Sequence, residues 1–386
     1  MSGRERVGVH QHTSTQLMTA FRLHAAARGA RHSLFPPCAR ATRAWSSRAA
    51  RTPLAIAFDI DGVLKQGTIV LPEAMRAIRM LQGENPWHEK VPFIFITNSG
   101  GRDEADRAAD LSHDFHTPVS PQQVVQAHTV MQSLVPQFGD QPILAVGGPD
   151  YPPGASRHVL EGNVYTAHDL HAYAPASFPY APPDPQLQAD VRRVDFSKIS
   201  FAAIFVFHDS RNWGRDIQYM VDLMRADDSV FGTLLTNEEL KARRKMPVYF
   251  SHNDLLWGNN FPVPRMGMGA FHTALAAVYS RITNGADWNP IVFGKPEVVT
   301  YEHANVLLQR LAATDTAAAP LEPRNVWMVG DNPASDISGA NQFGWSSALV
   351  RTGVFRDAEG PPACAPTIMA DNVEKAIESI MARSWG

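Results

Sequence analysis

Cysteine is nearly absent from this chain. Two residues in 386, Cys38 and Cys364, lie far apart, which excludes a disulfide framework and a cysteine-based zinc site. Long apolar runs are missing as well. The longest near-continuous stretch, Phe201 to Phe207, is far shorter than the ~20 residues a membrane-spanning helix needs, so no transmembrane segment is expected. No internal repeat is visible. The first 53 residues lack lysine altogether and hold a single acid, Glu5, against nine arginines. They contribute nine positive charges and one negative to a net charge of −3, so the remainder carries −11.

An Arg-rich, acid-poor, Ser-bearing segment has the composition of a mitochondrial transit peptide. Leu17, Phe21 and Ala25 recur at i, i+4 and i+8 with Arg22 and Arg28 off that stripe, as in an amphipathic helix. Residues 1–53 are therefore expected to be an import signal cleaved near Arg43 to Ser47, with the matrix as destination. A disordered basic tail, a nucleic-acid arm or a misplaced start codon would share the composition. No nucleic-acid partner is expected, because clustered arginines without interleaved aromatics describe only non-specific charge.

Five short segments carry chemistry. They are Phe58-Asp59-Ile60-Asp61-Gly62-Val63, Ile96-Thr97-Asn98-Ser99-Gly100-Gly101, Gly294-Lys295-Pro296, Gly330-Asp331 and, five residues later, Asp336. The first four each follow a short apolar run of the kind that forms a buried parallel strand: Leu54 to Phe58, Pro92 to Ile96, Ile291 to Phe293 and Val326 to Val329. Open α/β sheets bind ligands at the carboxyl ends of such strands, so these residues are expected to meet at one edge of one sheet. Strand alternation puts Asp59 and Asp61 on one face. One carboxylate can attack phosphorus as a nucleophile, and the second can protonate the leaving alkoxide and then activate water. Two carboxylates and a phosphate repel one another, which calls for a divalent cation, and Mg²⁺ suits carboxylate and phosphate oxygens. Lys295 would neutralise nucleophile and phosphate. Thr97 and the amides around Asn98 would hold phosphate oxygens at a strand-to-helix turn. Each piece alone reads as an ordinary turn or strand exit; their conjunction in one order carries the inference.

These segments resemble the four motifs of the haloacid dehalogenase (HAD)-like hydrolase superfamily, and more narrowly its class IIA branch. Val206-Phe207-His208-Asp209, Pro247-Val248-Tyr249-Phe250-Ser251, Asp254-Leu255-Leu256-Trp257 and Pro264-Arg265-Met266-Gly267 are similar to signatures of the cat eye syndrome critical region protein 5-like group within it. The resemblance spans roughly residues 54 to 385. It implies an α/β fold with a Rossmann-like parallel-sheet core and a large inserted α/β cap of the class II type. It also implies a Mg²⁺-dependent phosphatase. Asp59 corresponds to the nucleophile, and Asp61 to the acid/base, whose carbonyl also reaches the metal. Thr97 and Lys295 correspond to phosphate-binding groups, Asp331 to a metal ligand and Asp336 to a metal-supporting carboxylate. Where the class often reads Asn-Pro-Asp, this chain has His252-Asn253-Asp254, which leaves substrate contacts by His252 and Asp254 open.

The expected layout is a core over 54–137 and 289–386, with a cap over 138–288. Helices are expected at Glu73 to Leu81, Asp103 to Phe115, after Ser120, and at Asp216 to Met224, Gly269 to Arg281, Tyr301 to Leu311 and Val373 to Met381. The proline-rich stretch 149–185 reads as a long ordered loop or lid margin, and Ala317 to Arg324 as a linker. Trp213, Trp257 and Phe261 could floor a pocket or pack in a core. A homo-oligomer through the cap is compatible with the layout. The expected substrate is a small phosphorylated metabolite; the alternative is a mitochondrial HAD-fold binding or scaffold protein with little turnover.

Overall fold

Near-continuous apolar runs become strands buried on both faces. The structure, a computed structural model, describes residues 51–148, 163–180, 191–313 and 320–386, all within one compact unit, Arg51–Gly386. Residues 1–50 of the expected import signal, residues 149–162 and 181–185 of the proline-rich stretch, and the start of the 317–324 linker lie outside the described residues.

The larger sheet has six strands in the order Ile368–Ala370, Ser346–Val350, Val326–Gly330, Ala55–Phe58, Phe93–Thr97 and Val124–Gln126, every pair parallel. Alternation divides the side chains between two layers. Ile56, Phe58, Trp327 and Val329 join Ile78, Leu81, Ile377 and Ile380 on one face. Ala55, Ala57, Val326 and Met328 meet Tyr301, Ala304 and Leu308 on the other. The covering helices are Pro72–Leu81 and Val373–Trp385 on the first face and Val298–Ala313 on the second. From Ala55–Phe58 the chain builds outward in one direction, then returns to add Val326–Gly330 on the opposite side. The switch point thus falls between the strands that precede Asp59 and Asp331, where a doubly wound sheet opens its crevice.

A second, five-stranded parallel sheet runs Ile291–Val292, Val248–Phe250, Ala203–Val206, Ile143–Val146 and Val164–Thr166. Helices Trp213–Met224 and Met268–Thr283 cover one face of it. A short antiparallel hairpin, Leu256–Trp257 with Arg265–Met266, projects from this half.

Two expectations are corrected here. The strand before Gly294-Lys295 does not lie in the sheet of the other three motifs: Ile291 and Val292 pair with Tyr249 and Phe250 in the second sheet. No long helix opens at Ser120 either. Its capping box, completed by Gln123, starts a single turn over Pro121–Gln123. The β-branched pair Val124-Val125 then enters the larger sheet beside Phe95 and Ile96.

Candidate active site

Asp59 follows the central strand, and its backbone N–H still donates to Val329 O at 2.9 Å. Its carboxylate therefore stands beside Asp331, which follows the neighbouring strand. Lys295 reaches the same place from the other sheet. Its Nζ lies 2.6 Å from Asp59 Oδ1 and 2.6 Å from Asp336 Oδ1, and the side chain is only 2% exposed. The crossing depends on Gly294, which holds φ +73°; a Cβ there would sit 2.6 Å from Ser251 O and 2.7 Å from Asn98 Oδ1.

Asn98 ties this crossing to the larger sheet. Its Oδ1 accepts from Lys295 N at 2.8 Å, and its Nδ2 donates to Lys295 O at 3.0 Å and to Asp254 Oδ2 at 2.9 Å. One amide thus secures the lysine backbone at both ends and holds Asp254 against the turn after Thr97. Thr97 Oγ1 accepts from Ser99 N at 3.0 Å, shaping that turn. Asp336 is wholly buried, and both its oxygens are engaged: Oδ1 by Lys295, Oδ2 by Asp331 N and Asn332 N at 3.1 and 3.0 Å. Asp331 Oδ2 accepts from Val354 N at 2.6 Å.

Electrostatics decide what this arrangement lacks. Carboxylate oxygens of Asp59, Asp331 and Asp336 lie within 4.8 Å of one another. Burial lifts Asp59 well above the usual carboxylate range against the pull of Lys295, and Asp336, Asp331 and Asp61 add to the rise. Burial, with Asp336 beside it, pushes Asp331 up to about 7. Burial opposes the charge on Lys295, but Asp336 and Asp59 outweigh it and hold the ammonium well above its ordinary value. One cation cannot balance three buried carboxylates when all of them are ionised. Such a clustered all-oxygen donor set fits a hard divalent cation.

All nine residues singled out in the sequence come together. Asp59, Asp61, Thr97, Asn98, Asp331, His252 and Asp254 line one cavity of about 370 Å³, with Lys295 and Asp336 directly beneath. Trp213 and Trp257 line it too, whereas Phe261 is 55% exposed and neither floors the cavity nor packs in a core. Sequence reasoning missed two contributors. Arg107 Nη2 donates to Ser99 Oγ at 3.3 Å, and its charge opposes the upward push of burial on Asp61; helical spacing from the capping Asp103 was its only signal. Val354 acts through a backbone N–H, for which side-chain chemistry gives no signal.

Two family models match the chain, one described as haloacid dehalogenase-like hydrolase over residues 56–158 and one as HAD-hydrolase-like over 292–376. The chain is 34% identical over 346 residues to a mitochondrial hydrolase of Saccharomyces cerevisiae, an alignment spanning 84% of this chain and 94% of that protein. It is 33% identical over 335 residues to a cardiolipin synthase (CMP-forming)/mitochondrial hydrolase fusion protein of Schizosaccharomyces pombe, covering 85% of this chain and 53% of the fusion. A possible sugar phosphatase of the HAD superfamily from Cytophaga hutchinsonii shares the fold, with a TM-score of 0.58 at 18% identity over 83% of this chain and 94% of that one. The chain belongs to the haloacid dehalogenase-like hydrolase family and is an enzyme of that family.

Proposed function

We propose that this hydrolase is a phosphomonoesterase that moves the phosphoryl group of a small metabolite first to Asp59 and then to water. The observation that carries the reading is the Lys295 ammonium at 2.6 Å from both Asp59 and Asp336: it orients a carboxylate that opens onto a cavity. Asp59 attacks phosphorus and the ester oxygen leaves, taking its proton from Asp61. Asp61 then accepts a proton from the water that opens the acyl phosphate, which returns Asp59 as a carboxylate. Thr97 Oγ1, which accepts from Ser99 N and keeps its own proton to donate, and the backbone N–H of Asn98 hold phosphate oxygens. Asp59, Asp331 and the Asp61 carbonyl would hold Mg²⁺, with Asp336 in support because both its oxygens are engaged. When bound, the ion neutralises the carboxylates and the phosphate oxygens.

Residues 54–137 and 289–386 form the catalytic core in this reading, and 138–288 the cap, whose sheet the core strand Ile291–Val292 extends. His252 and Asp254, on the cap side of the cavity, are substrate-contact residues. The protein works in mitochondria; the Arg-rich first 53 residues and the mitochondrial descriptions of the two yeast relatives support this. Hydrolysis of p-nitrophenyl phosphate by the purified protein tests the chemistry. It should cease in EDTA, return with Mg²⁺, and fall about a thousandfold or more in Asp59→Asn with the fold retained. Activity in Asp59→Asn above about a tenth of wild type would remove Asp59 from this role.

A further inference from the structure

The cavity lining also carries basic groups that phosphoryl transfer does not use, beside the carboxylates of Asp209 and Asp254. Arg211 and Arg265 are its two lysine or arginine side chains. Neither forms an ion pair with a carboxylate among the described residues. Arg265 instead lies over the Phe261 ring, 4.9 Å from its centroid, an arrangement that leaves the edge donors of a guanidinium available. Of the acids on the same lining, Asp254 Oδ2 accepts from Asn98 Nδ2 at 2.9 Å, and Asp209 Oδ2 lies 3.5 Å from His208 Nδ1 and 3.9 Å from His252 Nε2.

His252 adds a third donor to the lining. The His252 side chain is 5% exposed, and its Nδ1 accepts from Asp254 N at 3.4 Å, which leaves the proton on Nε2. That nitrogen is buried without a hydrogen-bond partner among the described residues, Asp209 Oδ2 at 3.9 Å standing beyond hydrogen-bond reach. A buried donor without an acceptor is uncommon in a folded protein, and a cavity is where a ligand oxygen would meet it.

We propose that the substrate carries a second oxyanion, a carboxylate or another phosphate, on the group that leaves, and that Arg211, Arg265 and His252 select for it. The proposal rests on the phosphomonoesterase reading and names its substrate class. Planar guanidinium forks match both oxyanions, which explains arginine rather than lysine at these positions.

Three esters of similar size separate the possibilities: 2-hydroxyethyl phosphate, phosphoglycolate and ethane-1,2-diol bisphosphate. The full chain with Mg²⁺ should favour at least one charged ester over the neutral one by about tenfold or more in kcat/KM, the scale of one charge-assisted hydrogen bond. Which one it favours distinguishes carboxylate from phosphate. The preference should fall toward unity in Arg211→Gln combined with Arg265→Gln, with the change carried by KM. Calorimetric binding of the same esters to Asp59→Asn reads the preference without turnover. Turnover of p-nitrophenyl phosphate with no preference for either charged ester, or a preference that survives both substitutions, overturns this proposal alone. A binding preference without turnover of any ester overturns the phosphomonoesterase reading and leaves the oxyanion site standing. Equal affinities with no turnover overturn both.

Discussion

Lys295 is where the chemistry of single residues is most exposed to test. It is buried among Asp59, Asp331 and Asp336, and its ammonium bonds two of them directly. Removing one partner from such a cluster costs more than the pair contributes, because the remaining charges stay out of water. Lys295→Met keeps length and apolar volume but deletes the charge. It should lower unfolding free energy by about 3 kcal/mol in EDTA, read from urea midpoints, and Mg²⁺ should recover part of that loss by binding the folded state. A variant as stable as wild type in EDTA would mean that the carboxylates do not depend on this cation. Most residues at this centre were legible because their chemistry is in their side chains and their segments follow apolar runs. Asp336 was legible only as a supporting acid. Its grip on Asp331 N and Asn332 N depends on the turn over Pro333–Ile337, and residue types do not encode that geometry.

At the scale of elements, the sequence predicted strands and helices well where periodicity was long. Pro72–Leu81, Glu104–Phe115 and Met268–Thr283 fall within a few residues of their expected spans. It could not assign strands to sheets. Ile291–Val292 is a two-residue strand, and nothing local distinguishes a partner in one parallel sheet from a partner in another. Backbone approaches between distant loops were equally hidden. The loop after Ser346–Val350 passes so close to Asp331 that a Cβ on Gly353 would lie 1.9 Å from its Oδ2, while the next residue, Val354, donates to that same oxygen. Gly353→Ala should therefore displace the loop and Asp331 together. The expected result is a fall of about a hundredfold in kcat and a higher Mg²⁺ concentration for half-activation, with circular dichroism unchanged. Wild-type metal response in Gly353→Ala would show that the loop does not position Asp331.

At the scale of the whole molecule, the proposed address in residues 1–53 and the two-sheet enzyme make separate predictions. Residues 1 to about 46 should carry a fluorescent protein into mitochondria, and the mature protein should begin near Ser46 or Ser47; a full-length protein in the cytosol would contradict this. The enzyme depends on the seam between its sheets. Lys295 belongs by sequence to the catalytic set, yet the second sheet delivers it: Phe293 N donates to Phe250 O at 2.9 Å, and the Gly294 turn rests on Ser251. Asn98 closes the seam from the other side, bonding Lys295 N, Lys295 O and Asp254. The second sheet is thus part of how Lys295 is aimed, besides lending residues to the cavity. Asn98→Ala leaves every charged group in place and removes this clamp. It should cost about 2 kcal/mol of stability, since the Lys295 N–H and C=O lose a buried partner. The rate should fall about a hundredfold, through misplacement of an intact lysine. Hydrogen exchange should quicken at residues 252–254 and 293–297 while the strand Ala55–Phe58 keeps its protection. Loss of rate with exchange unchanged at those segments would instead make Asn98 a direct phosphate ligand and not the tie between sheets.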